Sequence, residues 1–570
     1  MSTNAYQKIL IASEKAYAEL ARFQCLDQKS LDYGGYIDPK TGYCEPAKWG
    51  SAMGVSLGCA LYCCPESKYF QDSEVLKRAK LFFTHTKAGQ HEDGTWDLRS
   101  SNYHDATASA FTIVQLLDSY QLLCIQNCQE DFANDILCVC KKAGQALLYG
   151  GFHTPNHRWV IASALSMLYQ ETQEEAYKQV AELYLKEGID CHADGSYTEK
   201  SVGNYDAVVD QALITIAQTL DRPQYLQLVL RNLSMVAYMV QPDGYLCTNH
   251  SFRQDRGARI KPMKYYLVYR DMARKTRDPL CQYMAEKIAN ECLDELNTEG
   301  PSYDFLTPLL LDAELREDCL SLNSPLVQGV HAFLDMGMIR VLKNGVAITL
   351  LRDNAQFLHI QKGSLSVYFR LYASFFSRGQ FKAQRIEETD ELIILRMRVK
   401  YGYIRPFEHE VDTSNWADMP HGTWANIEAF NTKGLYPRWE EIDFGQRKAV
   451  GERSLDYTVT LDRKRLLCGE ISMHLQVEGT ARVPLNLECV FDLGGDLSNE
   501  SCIQKNMNSG SIIARKGEWT YTKGCTSFTL GPCFSTHTET QLRGQANADR
   551  QGFAVFCTAE TPLDTNICLV

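Results

Sequence analysis

Two polar segments joined by a helix decide the fold: HTPNHRWVIASALSMLYQ (153–170) and ADGSYTEKSVGNY (193–205). In the first segment Thr154 can cap a helix, and the proline that follows suits the first helical position. Asn156 and His157 then fall in the first helical turn, where free backbone N–H groups and the helix dipole attract an anion. The pattern therefore predicts an amide and an imidazole held beside an anion-binding helix end.

The second segment supplies tyrosines and a carboxylate before another apolar helical run. Tyr197 and Glu199 lie in the loop, and Tyr205 lies where the next helix begins. An asparagine, a histidine and a tyrosine can therefore converge on one cleft. Such a set suits removal of a proton next to a carboxylate, because donors aimed at the carboxylate stabilise the developing negative charge. A tyrosine acts as the base only with cationic or hydrogen-bonding neighbours, and His157 and Arg158 are the nearest in sequence.

The length and the net charge of the chain limit the number of domains and the kinds of partner. At 570 residues it is too long for one hydrophobic core, so two or three domains are expected. The 70 acidic and 58 basic residues are spread along the chain and leave a net charge of −12. This balance argues against nucleic acid or a membrane surface as the main partner, and it is compatible with a local basic pocket for an acidic oligosaccharide.

The N-terminus and the cysteines bear on location. Residues 1–23 read as an amphipathic helix without the apolar core and cleavage site of a signal peptide, and no run of about eighteen apolar residues follows. The 21 cysteines are therefore interpreted as reduced, and a cytoplasmic location is predicted. The sequence leaves the oligomeric state open, a homo-oligomer included.

Residues 1–318 are predicted to form an all-α domain, because apolar residues recur at three- and four-residue spacing between clusters of Gly, Pro and Asp. The candidate helices are 4–23, 50–63, 72–88, 104–126, 131–148, 155–170, 173–188, 205–220, 223–240, 261–276 and 280–297. Asp-Gly turns at 93–96, 194–197 and 243–245 each place an aromatic residue after a helix, with a unit of about fifty residues. Helical hairpins of that size arranged in a ring form an (α/α) toroid, although Asp-Gly is also a common helix-ending turn.

Residues 319–570 are predicted to form an antiparallel β-sandwich. Apolar and polar residues alternate over 365–371 and 471–477, as in strands with one buried face. Further strand-like segments are 346–351, 391–400, 456–467, 484–492, 511–522, 526–530 and 552–557. The expected fold class is therefore α+β multidomain, with an N-terminal toroid followed by a sandwich.

This domain order, with NHRW (156–159) at a helix start and the loop that ends at Tyr205, resembles the heparinase II/III-like and alginate-lyase-like polysaccharide lyases. In that family an Asn and a His bind and neutralise a uronate carboxylate, while a Tyr assisted by a His is base or acid in a β-elimination. The resemblance implies Asn156 and His157 at the carboxylate and Tyr205 in proton transfer, with Tyr197 as second choice. It also implies a lyase whose product is a C4=C5 unsaturated uronate, without a redox cofactor.

The resemblance extends weakly to the sheet domain, where relatives carry a GHxHxD-like motif. The corresponding segment 354–363 contains His359 but no following His or Asp, so His359 is the second catalytic candidate and no metal is predicted there. Elsewhere, the pairs Cys59 with Cys63 and Cys138 with Cys140 lack the second pair or the histidines of a zinc site. The sequence therefore predicts no metal.

Further polar residues complete the predicted substrate-binding set. Residues 102–105 resemble cleft-lining residues of the family, and the loop 249–257 is rich in donors. Arg253 or Arg256 can fork onto a carboxylate or sulfate, unless Asp255 pairs with one of them to fix the loop. The full predicted set is Asn102, His104, Arg158, Trp159, Tyr197, Glu199, His250, Arg253 and Arg256.

Two other functions stay open on the sequence. A glycoside hydrolase on the same toroid would need two facing carboxylates, drawn from Asp93, Asp105, Asp194, Glu199 and Asp255. A non-catalytic carbohydrate-binding protein would keep the aromatic and arginine residues without needing Tyr205. A structural alternative applies to the central residues too, since Asn156 and His157 can be simple capping residues and Tyr205 a core aromatic.

Overall fold

The computed structural model describes residues 4–98, 102–151, 154–318, 323–403, 451–498, 503–506, 511–546 and 552–570. The chain divides into two compact units, Met1–Val327 and Gln328–Val570. The first is mainly helical, and the second is built mainly from strands.

The helices of the first unit match the predicted segments, with ends that differ by up to six residues. The segment at 261–276 begins as a 3-10 turn, Pro262–Tyr265, and a short helix near residue 306 was not predicted. The helices are α1 Ala5–Arg22, α2 Ser51–Cys63, α3 Ser73–Ala88, α4 Ala106–Ile125, α5 Glu130–Leu147, α6 Pro155–Thr172, α7 Glu175–Lys186, α8 Tyr205–Thr219, α9 Tyr225–Met239, α10 Tyr266–Thr276, α11 Pro279–Glu291 and α12 Leu306–Leu311.

Consecutive helices pair into hairpins: α2 with α3, α4 with α5, α6 with α7, α8 with α9, and α10 with α11. The leading helices also pack on one another, α2 on α4, α4 on α6 and α6 on α8, and they form an inner layer. Inner helices α2 and α6 are buried on most sides, whereas α5 and α7 bury one face. Helix α4 is long and apolar enough to cross a membrane, but 67% of its apolar window is buried in this unit, as in a core helix. The architecture is the predicted (α/α) toroid.

The inner helices run parallel, so their N-terminal ends lie together. Near the end of α4, Gln121 Nε2 donates a hydrogen bond to Glu171 Oε1 at the end of α6, over 2.7 Å. At the other end, Asn156 in the first turn of α6 is bonded to Glu199 in the loop that leads into α8. The loops before the inner helices therefore gather at one end of the toroid.

The three Asp-Gly turns are structural parts of the repeat. Gly94, Gly195 and Gly244 have φ of +96°, +91° and +82°, a region that favours glycine. In each turn the aspartate Oδ1 accepts a hydrogen bond from the backbone N–H two residues later. A Cβ would lie 2.2 Å from Lys142 O at the first glycine and 2.4 Å from Arg231 O at the second, so both turns pack directly against the backbone of the next outer helix.

A further copy of this turn lacks the Asp-Gly signal in the sequence, because Tyr33 directly precedes its glycine. Gly34 has φ of +86°, and a Cβ there would lie 2.4 Å from Leu81 O in outer helix α3. Gln24 Nε2 donates to the carbonyl of this glycine and to a carbonyl of α3, just as Gln90 Nε2 bridges the next turn to α5. The repeat therefore begins with the first hairpin of the unit.

The prediction that this unit is all-α was wrong at one place. Strands β1 Trp96–Leu98 and β2 Asn102–Asp105 form a small antiparallel hairpin. The helix predicted from residue 104 begins at Ala106, because Asp105 is its N-cap and its Oδ1 accepts a hydrogen bond from the N–H of Ala108 at 2.6 Å. His104 therefore lies in the strand, with a φ of +50°.

The second unit is a sandwich of two sheets. Its strands are β3 Gly329–Phe333, β4 Met338–Lys343, β5 Val346–Leu351, β6 Leu358–Lys362, β7 Leu365–Ala373, β8 Gly379–Gln380, β9 Arg385–Glu388, β10 Leu392–Tyr403, β11 Gly451–Asp462, β12 Ile471–Gly479, β13 Pro484–Phe491, β14 Asp496–Ser498, β15 Ile503–Asn506, β16 Ser511–Ala514, β17 Lys516–Lys523, β18 Thr526–Phe534, β19 Phe553–Glu560 and β20 Leu563–Leu569. One sheet has the order β14-β17-β18-β20-β12-β11-β10-β9. The other has the order β15-β16-β19-β13-β7-β6-β5-β4-β3, with β8 beside β7. Described neighbours are antiparallel except β16 and β19.

Apolar side chains from both sheets form one core. Val367 and Leu487 of one sheet belong to the same buried cluster as Val459 and Leu475 of the other, as the two-residue alternation predicts. The strand predicted at 456–467 was wrong at its end, where Asp462 caps a short helix, α13 Arg463–Leu467. The segment predicted at 511–522 divides into β16 and β17.

Candidate active site

Polar side chains gather where the inner helices begin. Lys48 precedes α2, Asp105 caps α4, Asn156 lies in the first turn of α6, Tyr205 begins α8, and Lys264 precedes α10. Because the inner helices run parallel, the positive ends of their dipoles point toward the same end of the toroid. This end is the candidate active site.

A carboxylate of the chain itself occupies the N-terminal end of α6. Glu199 Oε2 accepts hydrogen bonds from Asn156 Nδ2 at 2.6 Å and from the Asn156 backbone N at 3.2 Å. Asn156 is completely buried, and Glu199 is 6% exposed. Glu199 is therefore the anion at this helix end, and the Asn156 amide donates its hydrogen bond to that side chain.

Arg253 connects Glu199 to Tyr205. Its Nε forms an ion pair with Glu199 Oε1 at 3.2 Å, and its guanidinium carbon lies 5.0 Å from the centroid of the Tyr205 ring. Tyr205 is half-buried, and its hydroxyl donates to Gln254 Oε1 at 3.2 Å. No residue in the described ranges accepts a hydrogen bond from the terminal NH₂ groups of Arg253, whose side chain is 30% exposed. Those groups are therefore open to an acceptor from outside the described chain.

His157 lies in the electrostatic neighbourhood of Arg253 and Asp105. Its Nδ1 is 2.9 Å from Thr154 Oγ1, so the threonine predicted as a backbone cap contacts the imidazole instead. Burial lowers the pKa of His157 below its usual value, the negative charge of Asp105 opposes that shift, and the positive charge of Arg253 adds to it. The lowered pKa favours the neutral imidazole, the form that can accept a proton.

Asn102 and His104 belong to the small hairpin at this end. Asn102 Nδ2 donates to Asp105 Oδ2 at 2.9 Å and so supports the cap of α4. His104 Nδ1 lies 2.8 Å from Asp93 Oδ2, and its ring stacks on that of His91 with centroids 4.0 Å apart. Both candidate residues are exposed.

Three other candidates make contacts that favour structural roles. Trp159 is completely buried with its indole N–H hydrogen-bonded to a carboxylate, so its ring has no open face for a sugar. Arg158 forms an ion pair with Glu187 at 2.7 Å. Tyr197 is buried and donates to Asp210 Oδ1 at 2.8 Å, and burial raises the pKa of its phenol well above the usual value.

The loop 249–257 is fixed by its aspartate. Asp255 accepts hydrogen bonds from Ser201 Oγ at 2.9 Å and from the backbone just before α8, so it joins the loop to α8 instead of pairing with a neighbouring arginine. Arg256 is exposed, and His250 is 5% exposed.

His359 lies in the second unit, on strand β6. It pairs in register with Thr349 and Tyr368 on the flanking strands, and it is 6% exposed. Its neighbours Leu358 and Ile360 belong to the sandwich core, so the histidine points to the other face of the sheet.

The carboxylates considered for a hydrolase are all hydrogen-bonded. Asp93 and Asp194 close their own turns, and Asp105, Glu199 and Asp255 are bound as described above. Although burial opposes the shift, hydrogen bonds from Thr95 and His104 lower the pKa of Asp93 to about 2. A glycosidase acid needs a raised pKa, so Asp93 does not suit that role.

Two lysines at the same end have no signal in the sequence. Lys264 Nζ donates to Asn204 Oδ1 just before α8, and Lys48 Nζ lies 3.7 Å from the centroid of the Phe111 ring. Burial and the positive charge of Lys264 lower the pKa of Lys48 to about 7, while Asp118 acts in the opposite direction. Only the packing of separate hairpins brings these lysines together, and sequence spacing does not reveal that.

No family model matches the sequence, and no curated protein sequence matches it significantly. Solved structures do. A variant of the chondroitin AC lyase from Streptomyces coelicolor A3 aligns over 99% of this chain and 79% of its own, with a TM-score of 0.50 and 13% identity. Heparan sulfate lyase HepC from Pedobacter heparinus aligns over 99% of this chain and 88% of its own, with a TM-score of 0.49 and 11% identity. The chain therefore has the toroid-and-sandwich fold of the chondroitin AC lyase, which confirms the predicted resemblance to polysaccharide lyases at the level of the fold.

Proposed function

We propose that this protein cleaves uronic-acid-containing oligosaccharides by β-elimination and leaves a C4=C5 unsaturated uronate. The observation that carries the proposal is the half-buried Tyr205 beneath the Arg253 guanidinium, at the end of the toroid where the inner helices begin. A phenol beside a cation suits abstraction of a proton next to a carboxylate. The shared fold with a chondroitin AC lyase agrees with this chemistry.

In the proposed reaction Arg253 binds the uronate carboxylate through its terminal NH₂ groups and neutralises the charge that develops there. Tyr205 and His157 are the two proton-transfer groups. One of them removes the proton from C5, the electrons of the C5–H bond form the C4=C5 double bond, and the C4–O bond breaks. The oxygen that leaves C4 takes a proton from Tyr205 or His157. Because its amide is bonded to Glu199, Asn156 acts as a positioning residue that holds the Glu199–Arg253 ion pair.

The reaction is tested by a screen of uronate-containing oligosaccharides, sulfated and unsulfated, with the ultraviolet absorbance of the conjugated product as readout. A reducing-end assay runs in parallel. Growth of both signals supports the lyase. Reducing ends without absorbance would instead indicate a hydrolase, and binding without either signal would indicate a carbohydrate-binding protein.

The role of Tyr205 is tested by Tyr205→Phe on a substrate that the wild type converts. We expect substrate binding to persist and kcat to fall by about 10²-fold or more, because general acid–base groups contribute on that order. Tyr62→Phe is the matched control, since Tyr62 lies in the last turn of inner helix α2, at the opposite end of the toroid. Equal turnover of the Tyr205→Phe protein and the control would remove Tyr205 from the mechanism.

A further inference from the structure

Three side chains from separate segments of the helical unit meet beside the first turn of α2, at the end of the toroid where the inner helices begin. Asp32 lies in the long connection between α1 and α2, Cys44 lies later in that connection, and His85 lies in the last turn of α3. One potential ligand atom from each lies within 4.8 Å of the other two. Cys44 is 3% exposed and His85 is 5% exposed, so these two donors are sheltered from solvent.

The distance between sulfur and nitrogen fits a tetrahedral zinc site. Cys44 Sγ and His85 Nε2 are 3.6 Å apart. A Zn²⁺ ion with a Zn–S bond of ~2.3 Å and a Zn–N bond of ~2.1 Å requires the two atoms to be about 3.6 Å apart at the tetrahedral angle. A carboxylate oxygen, as Asp32 offers, is the third ligand type found with thiolate and imidazole on zinc. The donor types and the distance between sulfur and nitrogen therefore fit a single Zn²⁺ ion.

The surroundings support the same assignment. His85 Nδ1 lies 2.8 Å from Ser51 Oγ, which is the kind of outer contact that orients a metal-bound imidazole with its other nitrogen toward the ion. At Gly35 a Cβ would lie 2.4 Å from Cys44 Sγ and 2.7 Å from His85 Nδ1. Glycine at this position therefore keeps the space beside the two donors open.

We propose that Asp32, Cys44 and His85 bind a Zn²⁺ ion that fastens the long α1–α2 connection to helix α3. The connection has turns and β-bridges of its own, and a metal that joins its two halves to α3 would restrict their movement relative to that helix. The fourth coordination position is taken by water. Sequence spacing gives no signal for this site, because its residues are far apart and no pair of them has zinc-finger spacing.

The test uses the full-length protein, freed of metal with a chelator and then titrated with Co²⁺. Cobalt bound to a thiolate gives a charge-transfer band in the near ultraviolet, and we expect saturation of one site per chain. Zinc content by mass spectrometry of the protein purified from zinc-supplemented cells should also be one per chain. Cys44→Ser should abolish the band, and Asp32→Asn should weaken metal binding about tenfold or more.

Cys25→Ser is the matched control, because this half-buried thiol lies in the same connection but outside the triad. It should keep the band and the affinity. Circular dichroism of each metal-free protein establishes that it is folded. A folded wild type that develops no thiolate band in excess Co²⁺ would overturn the proposal, and Cys44 and His85 would then form an ordinary S–H···N contact. A band that survives Cys44→Ser, or that Cys25→Ser removes, would also overturn it.

Discussion

Replacing Asn156 by alanine should destabilise the helical unit by ~2–3 kcal/mol. The variant loses the 2.6 Å hydrogen bond from Asn156 Nδ2 to Glu199 Oε2. A hydrogen bond to a charged group contributes ~1.5–3 kcal/mol, and the lost packing of a completely buried side chain adds to that cost. Without the structure, removal of an exposed first-turn polar group would suggest only about 1 kcal/mol.

The assay is a double-mutant cycle of Asn156→Ala and Glu199→Gln in urea, followed by far-ultraviolet circular dichroism at a helix band. That signal reports mainly the helical unit, because the second unit is built mainly from strands. We expect a coupling energy of about 1 kcal/mol between the two positions, because the glutamine oxygen can still accept from Asn156 Nδ2 and only the charged part of the hydrogen bond is lost. Effects that add to within about 0.5 kcal/mol would refute the reasoning, since residues that do not interact behave in that way.

The same variants distinguish two roles for Asn156 in catalysis. A donor to the substrate carboxylate would lower kcat by about 10²–10³ with little loss of stability, and Glu199→Gln would not reproduce the effect. A positioning residue would lose stability and kcat together, and Glu199→Gln would lower kcat as well, because Arg253 then loses its charged partner at 3.2 Å. We expect the second pattern.

Two further predictions concern charge. Burial raises the pKa of Asp206 to about 7, above its value in the unfolded chain, so unfolding should become easier as pH rises from about 4 to about 7. Asp206→Asn should remove ~2.6 kcal/mol of the difference in unfolding free energy between pH 5 and pH 8, measured by urea denaturation, and an unchanged difference would contradict the assignment. Arg256→Ala should raise KM for charged oligosaccharides about tenfold with kcat retained. Arg253→Ala should instead lower kcat. Equal kinetics in the two variants would contradict this difference.

The sequence predicted the architecture well because both units follow simple periodicities. Three- and four-residue spacing located the ends of α1 to α11 to within six residues, and two-residue alternation located the central strands. The failures occurred where a local polar contact overrides the pattern. Asp105 caps α4 two residues later than predicted, and Asp462 ends a strand by starting a helical turn.

The candidate site was predicted less well because sequence shows residue types but not what they contact. Asn156, His157, Tyr205 and Arg253 come together near one end of the toroid as the sequence suggests. The residue type of Trp159 and its position near Asn156 and His157 predict a substrate contact, yet the side chain belongs to the core. The Asp32–Cys44–His85 triad has no signal in the sequence, since only the fold of the α1–α2 connection brings its members together.

Because Glu199 occupies the N-terminal end of α6, the expected anion site shifts from that helix end to Arg253 in the loop 249–257. A helix N-terminus attracts whatever carboxylate reaches it first, and in α6 that carboxylate is Glu199. The same carboxylate then holds Arg253, which carries positive charge outward from the helix end to the ring of Tyr205. A substrate anion would therefore be attracted to the guanidinium instead of the amide. The substrate would then lie beside the Tyr205 phenol, which is proposed to exchange a proton with it. The helix end alone could not place the substrate there.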